Sequence, residues 1–326
     1  MSNLIPKFDF GRVFVEPWTS GSTDFLWIAL MGFFVATACG LIGNYLILRR
    51  MALVGDAISH SVLPGLAIAF LLANSRSSLA MFIGALVAGV FTTVVIEIIH
   101  KKSRVKQDSA IGITFSTLFA IGVILISLYA DRVDLDQECV LYGEITFVPL
   151  APIVKIGGLA LGPEPVVRMA VVTFVTAALI IAFYKELLVS SFDSGLAASL
   201  GVNATVMHYA LMSMLSVVVV SAFESVGAIL VIAMLILPGA TASMLSQRLP
   251  IILWLSVGHA ALSSILGIHL ALWLECSMAA AMVVMGAFLF VLAWIFSPRT
   301  GLIARLSAQR VTEPILEFQS NTPHGT

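Results

Sequence analysis

An aspartate and a histidine stand four residues apart in an otherwise apolar run, MALVGDAISHSVLPGLAIAFLL at 51–72. On a helix the i, i+4 spacing puts the Asp56 and His60 side chains on one face, one turn apart. An ionisable group in a lipid-embedded helix costs on the order of 3 kcal/mol or more, so it is a functional hypothesis by default. A carboxylate oxygen with an imidazole nitrogen forms half a coordination shell for Mn2+, Fe2+ or Zn2+. The same two groups also suit a proton relay, or a packing lock in which they bond each other or a neighbouring helix. As a ligand His60 must be neutral, so acidification is expected to oppose binding. Pro64 and Gly65 follow on the next turn and loosen the helix, as in the broken helices near transport sites.

The elements that must position this pair follow from composition. Of 326 residues 60% are hydrophobic and 11% charged, against about 25% charged in soluble globular chains. Apolar runs of span length predict an all-α polytopic membrane protein with about nine transmembrane helices, eight to ten being possible. The runs lie near 25–48, 51–72, 79–99, 109–130, 167–184, 205–223, 225–246, 250–273 and 278–297. The stretch 204–247 reads either as two spans or as one span and a re-entrant hairpin. A polar tail at 1–24, a transmembrane domain at 25–297 and a polar, frayed tail at 298–326 complete the expected organisation. Arg49, Arg50, the basic run from Lys101 to Lys106, Lys185, Arg248 and Arg299 fall in alternate loops. That bias places those loops in the cytoplasm and the N-terminus outside.

Other features are weaker or exclude functions. Small residues at four-residue spacing, such as Ala36/Gly40 and Ala85/Gly89, permit close helix packing. The connection 131–166 opens with Asp131, Asp134, Asp136 and Glu138, a solvated loop that could also gather cations. Cys39, Cys139 and Cys276 share no ligand-like or disulfide-like spacing. The start of the chain lacks the apolar core of a signal peptide, and no dense basic patch suggests nucleic acid. With no GxxxxGK[ST], the chain does not cradle ATP in the P-loop manner. HExxH and GxSxG are absent too, which removes the commonest hydrolase readings, so no enzymatic activity is expected of this chain.

Glu224, at the junction of the sixth and seventh runs, and His259, in the eighth, are secondary candidates for the metal site. Each also has a plain reading, as an interfacial acid and a packing histidine, and His269 is a lesser case. The segment 184–201 is longer than the other loops on its side. Asp193 or Ser194 could cap a short helix there that ends at Gly201, serving as a float or as a docking element.

Taken together these stretches resemble the permease family of ABC importers for manganese, zinc and iron. The likeness covers roughly 25–310 and rests on RRMALVGDAISHSVLPG (49–65), DLDQECVLYGEI (134–145), YKELLVSSFDSGLAASLG (184–201) and FESVGAILVIAMLILPGATA (223–242), with SPRTGLIAR (297–305) like the ending of longer members. The resemblance implies a bacterial plasma (inner) membrane protein, paired with a second permease chain as a homodimer or heterodimer. It implies ATPase subunits beneath and an extracytoplasmic metal-binding protein above. It makes Asp56 and His60 the residues that contact the transported ion, and it places a coupling helix at about 190–201. Glu186, Phe192, Asp193, Ala197 and Gly201 are then the candidates for contact with the ATPase. No permanently bound cofactor is implied, the metal being cargo. Where many members carry a Pro/Gly turn before the last span, this chain has Leu274-Glu275-Cys276-Ser277-Met278.

Two other readings compete. A secondary cation/proton antiporter would use the same Asp/His pair without an ATPase. An intramembrane enzyme with a metal-bound water would need a third protein ligand, which only Glu224 or His259 could supply.

Overall fold

The computed structural model describes residues 6–19, 22–73, 78–128, 145–156, 159–297 and 301. The acidic stretch 131–138, Cys139 and the tail 302–326 lie outside the described residues.

Apolar runs with few breakers become long helices: α2 (Ser22–Leu48), α3 (Val54–Ala73), α4 (Ser78–Lys102), α5 (Gln107–Leu128), α6 (Glu164–Ala182), α9 (Ala204–Val226), α11 (Leu249–Leu274) and α12 (Met278–Phe296). Among the described residues these eight contain stretches long and apolar enough to cross a membrane, since about 20 residues at 1.5 Å each span its hydrocarbon core. Their outward faces are apolar as well: Ile181, Trp254, Phe174 and Phe296 are all exposed, as side chains solvated by lipid should be.

The stretch 204–247 resolves into two helices, of 23 and 18 residues. Gly227 (φ 83°, ψ 160°) breaks the chain between α9 and α10 (Ala228–Leu245), in a backbone region open mainly to glycine. At 18 residues α10 is close in length to α6 and α12, which have 19 each.

Helix α2 is the central post, buried along most of its length from Ile28 to Leu46 and flanked by α6, α10 and α11. Small residues make these approaches close. A side chain at Gly40 would meet Pro238 of α10, and one at Gly43 would meet the Leu235 carbonyl. Asn44 cross-links the post, its Nδ2 donating to the Gly40 carbonyl (2.7 Å) and to Ser256 Oγ on α11 (2.9 Å).

The two ends of the bundle differ. At one, the ends of α2 and α9 meet the helix pair α7 (Tyr184–Phe192) and α8 (Ser194–Ser199), with Arg49 and His208, and the end of α4, with Lys101, packs beside α9. The break between α7 and α8 falls at Asp193, whose carboxylate caps α8 by accepting from the Gly195 and Leu196 amides (2.8 and 3.1 Å). At the other end lie an antiparallel hairpin, β1 (Ile153–Ile156) with β2 (Leu159–Pro163), and a helical N-terminal segment.

That N-terminal segment differs from the polar tail expected of 1–24. Gly11–Val15 and Glu16–Thr19 (α1) are helical, and Phe14 stacks on His269 at 4.6 Å while Val13 is buried. The His269 Nδ1–H donates to the Val13 carbonyl (2.8 Å), and Arg12 pairs with Glu275 (2.7 Å). The departure at 274–278 is therefore part of this contact, with Glu275 in the left-handed region (φ 51°).

Candidate metal site

Asp56 stands in the first turn of α3, where the unpaired amides of a helix N-terminus favour a carboxylate. One turn on, His60 Nε2 lies 3.3 Å from Asp56 Oδ1, and each side chain is about one-third exposed (29% and 31%). Two donors bonded to one ion at about 2.1 Å stand about 3.0–3.4 Å apart for bond angles between square and tetrahedral. The pair is thus already spaced for a single small divalent ion. Among the described residues no third His, Cys, Asp or Glu completes a cluster with them.

The surroundings fix α3 tightly. Phe115 and Phe119 of α5 flank the imidazole, with ring centroids 5.8 and 5.9 Å away, the second edge-on. Gly122 of α5 lies against Pro64 and Leu63, Gly55 lies under Leu235, and Gly65 faces the Gly84 carbonyl of α4. Pro64 has no N–H to offer the His60 carbonyl, so the helix ladder is interrupted one turn beyond the pair. A cavity of about 680 Å³ between α3, α4 and α5 starts at Ser61 and Pro64, but its walls are apolar and it includes neither Asp56 nor His60.

Among the described residues His259 does not join the pair in a cluster. His259 is buried on α11 and its Nε2 lies 3.1 Å from the Gly286 carbonyl of α12, while Nδ1 has no hydrogen-bond partner among the described residues. Glu224 belongs to the last turn of α9, and its side chain lies outside the described residues. Of the residues expected to couple to an ATPase, Phe192 is exposed, Ala197 is buried, Glu186 lies on α7, Asp193 is the α8 cap and Gly201 takes φ 78°. Phe192, Leu196 and Leu200 together present apolar surface there.

One group of polar residues went unrecognised in the sequence. Glu97 on α4, buried, accepts from Lys101 Nζ (2.6 Å) and lies 3.2 Å from His208 Nε2 on α9. The signal was available: Glu97 is an acid inside a span, like Asp56. It sits one turn before the basic run at 100–106, however, and reads there as the edge of a loop.

Comparison with known proteins bears on the chain as a whole. Residues 23–297 match the ABC 3 transport family. The chain is 44% identical over 279 residues to the manganese transport system membrane protein MntD of Bacillus subtilis, covering 86% of this chain and 94% of MntD. It is 40% identical over 298 residues to the zinc transport system membrane protein TroD of Treponema pallidum, covering 91% and 80%. Among solved structures, PsaBC from Streptococcus pneumoniae, in complex with Fab, superposes with a TM-score of 0.70 at 35% identity, covering 85% of this chain and 93% of that one. By the extent of these matches and by its fold, the chain belongs to the ABC 3 transport family.

Proposed function

We propose that this chain is the membrane-spanning permease subunit of an ATP-driven importer of divalent transition metal ions, Mn2+ or Zn2+ foremost, in a bacterial plasma membrane. The observation that carries the metal path is the Asp56/His60 pair: two donors 3.3 Å apart, partly exposed, at the start of a proline-interrupted helix. Relatives named as manganese and zinc transport proteins support the cargo class. Fe2+ shares the same ligand preference. Family membership favours import driven by a separate ATPase over the proton-antiport reading.

In this reading Asp56 neutralises part of the ion's charge and His60 supplies one nitrogen, with Phe115 and Phe119 limiting water on one side. Two protein ligands hold an ion only loosely, which suits a site that must also release it. A metal-binding protein delivers the ion at the end bearing the β-hairpin and the N-terminal segment. The α7–α8 pair, with Phe192 and Asp193, seats on the ATPase at the basic end, and a second permease chain completes the membrane core.

The test is ATP-dependent uptake of Mn2+, Zn2+ and Fe2+ into vesicles holding this chain, its ATPase and its binding protein. Wild type is compared with Asp56→Asn and His60→Ala. Loss of uptake with assembly and basal ATP hydrolysis intact is expected. Normal uptake in both variants would refute the site, and uptake driven by a proton gradient without ATP would refute the importer.

A further inference from the structure

Between the α7–α8 pair and the Asp56/His60 helix runs a chain of polar contacts whose centre is Arg49. Its Nε donates to Ser191 Oγ (3.0 Å) and its Nη2 to Ser190 Oγ (3.0 Å), both on the last turns of α7. Its Nη1 lies 3.4 Å from His208 Nδ1 on α9. Beyond the imidazole, Nε2 meets Glu97 of α4, which also takes Lys101.

Each member has one role. A guanidinium only donates, so His208 Nδ1 accepts and its proton sits on Nε2, directed at Glu97. The serine hydroxyls donate to the Leu187 carbonyl (3.2 Å from Ser190, 2.6 Å from Ser191), so toward Arg49 they are acceptors. Burial pulls the Arg49 guanidinium down from its ordinary pKa, with Tyr45 opposing. It nevertheless stays charged, as arginine does in proteins. A planar fork reaches three partners on two elements at once, which a lysine ammonium on a flexible stem does not match.

Arg49 is also joined stiffly to α3. The turn between α2 and α3 is closed by Arg50 N–H to the Ile47 carbonyl (3.0 Å), Met51 N–H to the Leu46 carbonyl (2.8 Å) and Val54 N–H to the Met51 carbonyl (3.1 Å). Arg50 takes φ 58°, and Met51 and Val54 are buried. A turn so closed moves as a unit with the helix start that carries Asp56.

We infer that Arg49 is a positioning residue for transport. Through Ser190 and Ser191 it takes up the displacement of α7–α8, and through the 49–54 turn it passes that displacement to Asp56 and His60. Glu97 and His208 hold the guanidinium in register against α4 and α9. The inference rests on the permease reading and its metal path, and adds the element that links the two.

The experiment measures Mn2+ uptake and ATP hydrolysis together in vesicles holding the full complex. It compares wild type, Ser190→Ala/Ser191→Ala, Arg49→Lys and Asp56→Asn. The serine variant removes both acceptors on α7 without altering charge, and is expected to keep assembly and hydrolysis while Mn2+ moved per ATP falls about tenfold. Arg49→Lys, which keeps the charge and loses the fork, should lower the same ratio. A merely structural role would lower uptake, hydrolysis and complex yield together and leave the ratio unchanged. An unchanged ratio in both variants, with uptake lost in Asp56→Asn, overturns the link alone. Normal uptake by Asp56→Asn overturns the metal path instead, whatever the serine variant does.

Discussion

The Asp56/His60 pair and the Arg49 cluster both gather charge on or beside the spans, yet they are built on opposite terms. The pair sits on one helix, is about one-third exposed (29% and 31%), and among the described residues is joined by no third metal-ligating side chain. The cluster draws on four elements, and its acid, imidazole, guanidinium and hydroxyls bond one another. An ion that must enter and leave needs donors that are incompletely satisfied. A linkage that must carry force needs the reverse, since a polar network rigidifies its surroundings only when its members are satisfied. Similar residue types therefore do different work according to how many partners the fold provides.

Substitutions break this contrast in order of size. On the proposed metal path Asp56→Asn removes a ligand, so uptake should fall by roughly the 10–100-fold typical of lost outer-shell partners or more, while detergent-solubilised protein melts as wild type does. Glu97→Ala should act on stability instead. It strands His208 and Lys101, and should cost about 3 kcal/mol, the low end for a broken buried pair because Lys101 reaches solvent. Unfolding followed in detergent micelles reads that loss, and a wild-type midpoint would count against the cluster as a structural unit.

Smaller effects lie in the scaffold. Gly65→Leu forces a side chain onto the Gly84 carbonyl and should destabilise by about 1–3 kcal/mol through overpacking. It should also separate α3 from α4 and weaken uptake, checked by the same melting and vesicle assays. Asn44→Leu removes the link from α2 to Ser256 and should cost about 1 kcal/mol, typical of interhelical hydrogen bonds in membranes. Smallest is Glu275→Gln at the opposite end. Both partners of the Arg12 ion pair are exposed there, so no more than about 1 kcal/mol is expected, and less at high salt.

The spans and the Asp56/His60 pair were legible because each depends on local pattern: continuous apolar runs in one case, an i, i+4 spacing in the other. Asp193 as a helix cap was legible for the same reason. The boundary between α9 and α10 was not, because an apolar run shows none where a glycine at position 227 turns with positive φ. The packing of Phe8, Phe14 and Trp18 is not legible in the sequence, since their partners His269 and Trp273 lie some 250 residues away. Arg49 reads in the sequence only as a charge that orients the spans, because Ser190, Ser191 and His208 reach it through tertiary packing.

The central claim is that His60 and Asp56 touch the transported ion. Pulsed electron paramagnetic resonance of Mn2+ bound to the assembled transporter tests it most directly, because a coordinating imidazole imprints nitrogen hyperfine coupling on the manganese signal. The account predicts that coupling in wild type, its loss in His60→Gln, and its retention in His259→Gln. Coupling that persists in His60→Gln, or that vanishes only in His259→Gln, would contradict the assignment.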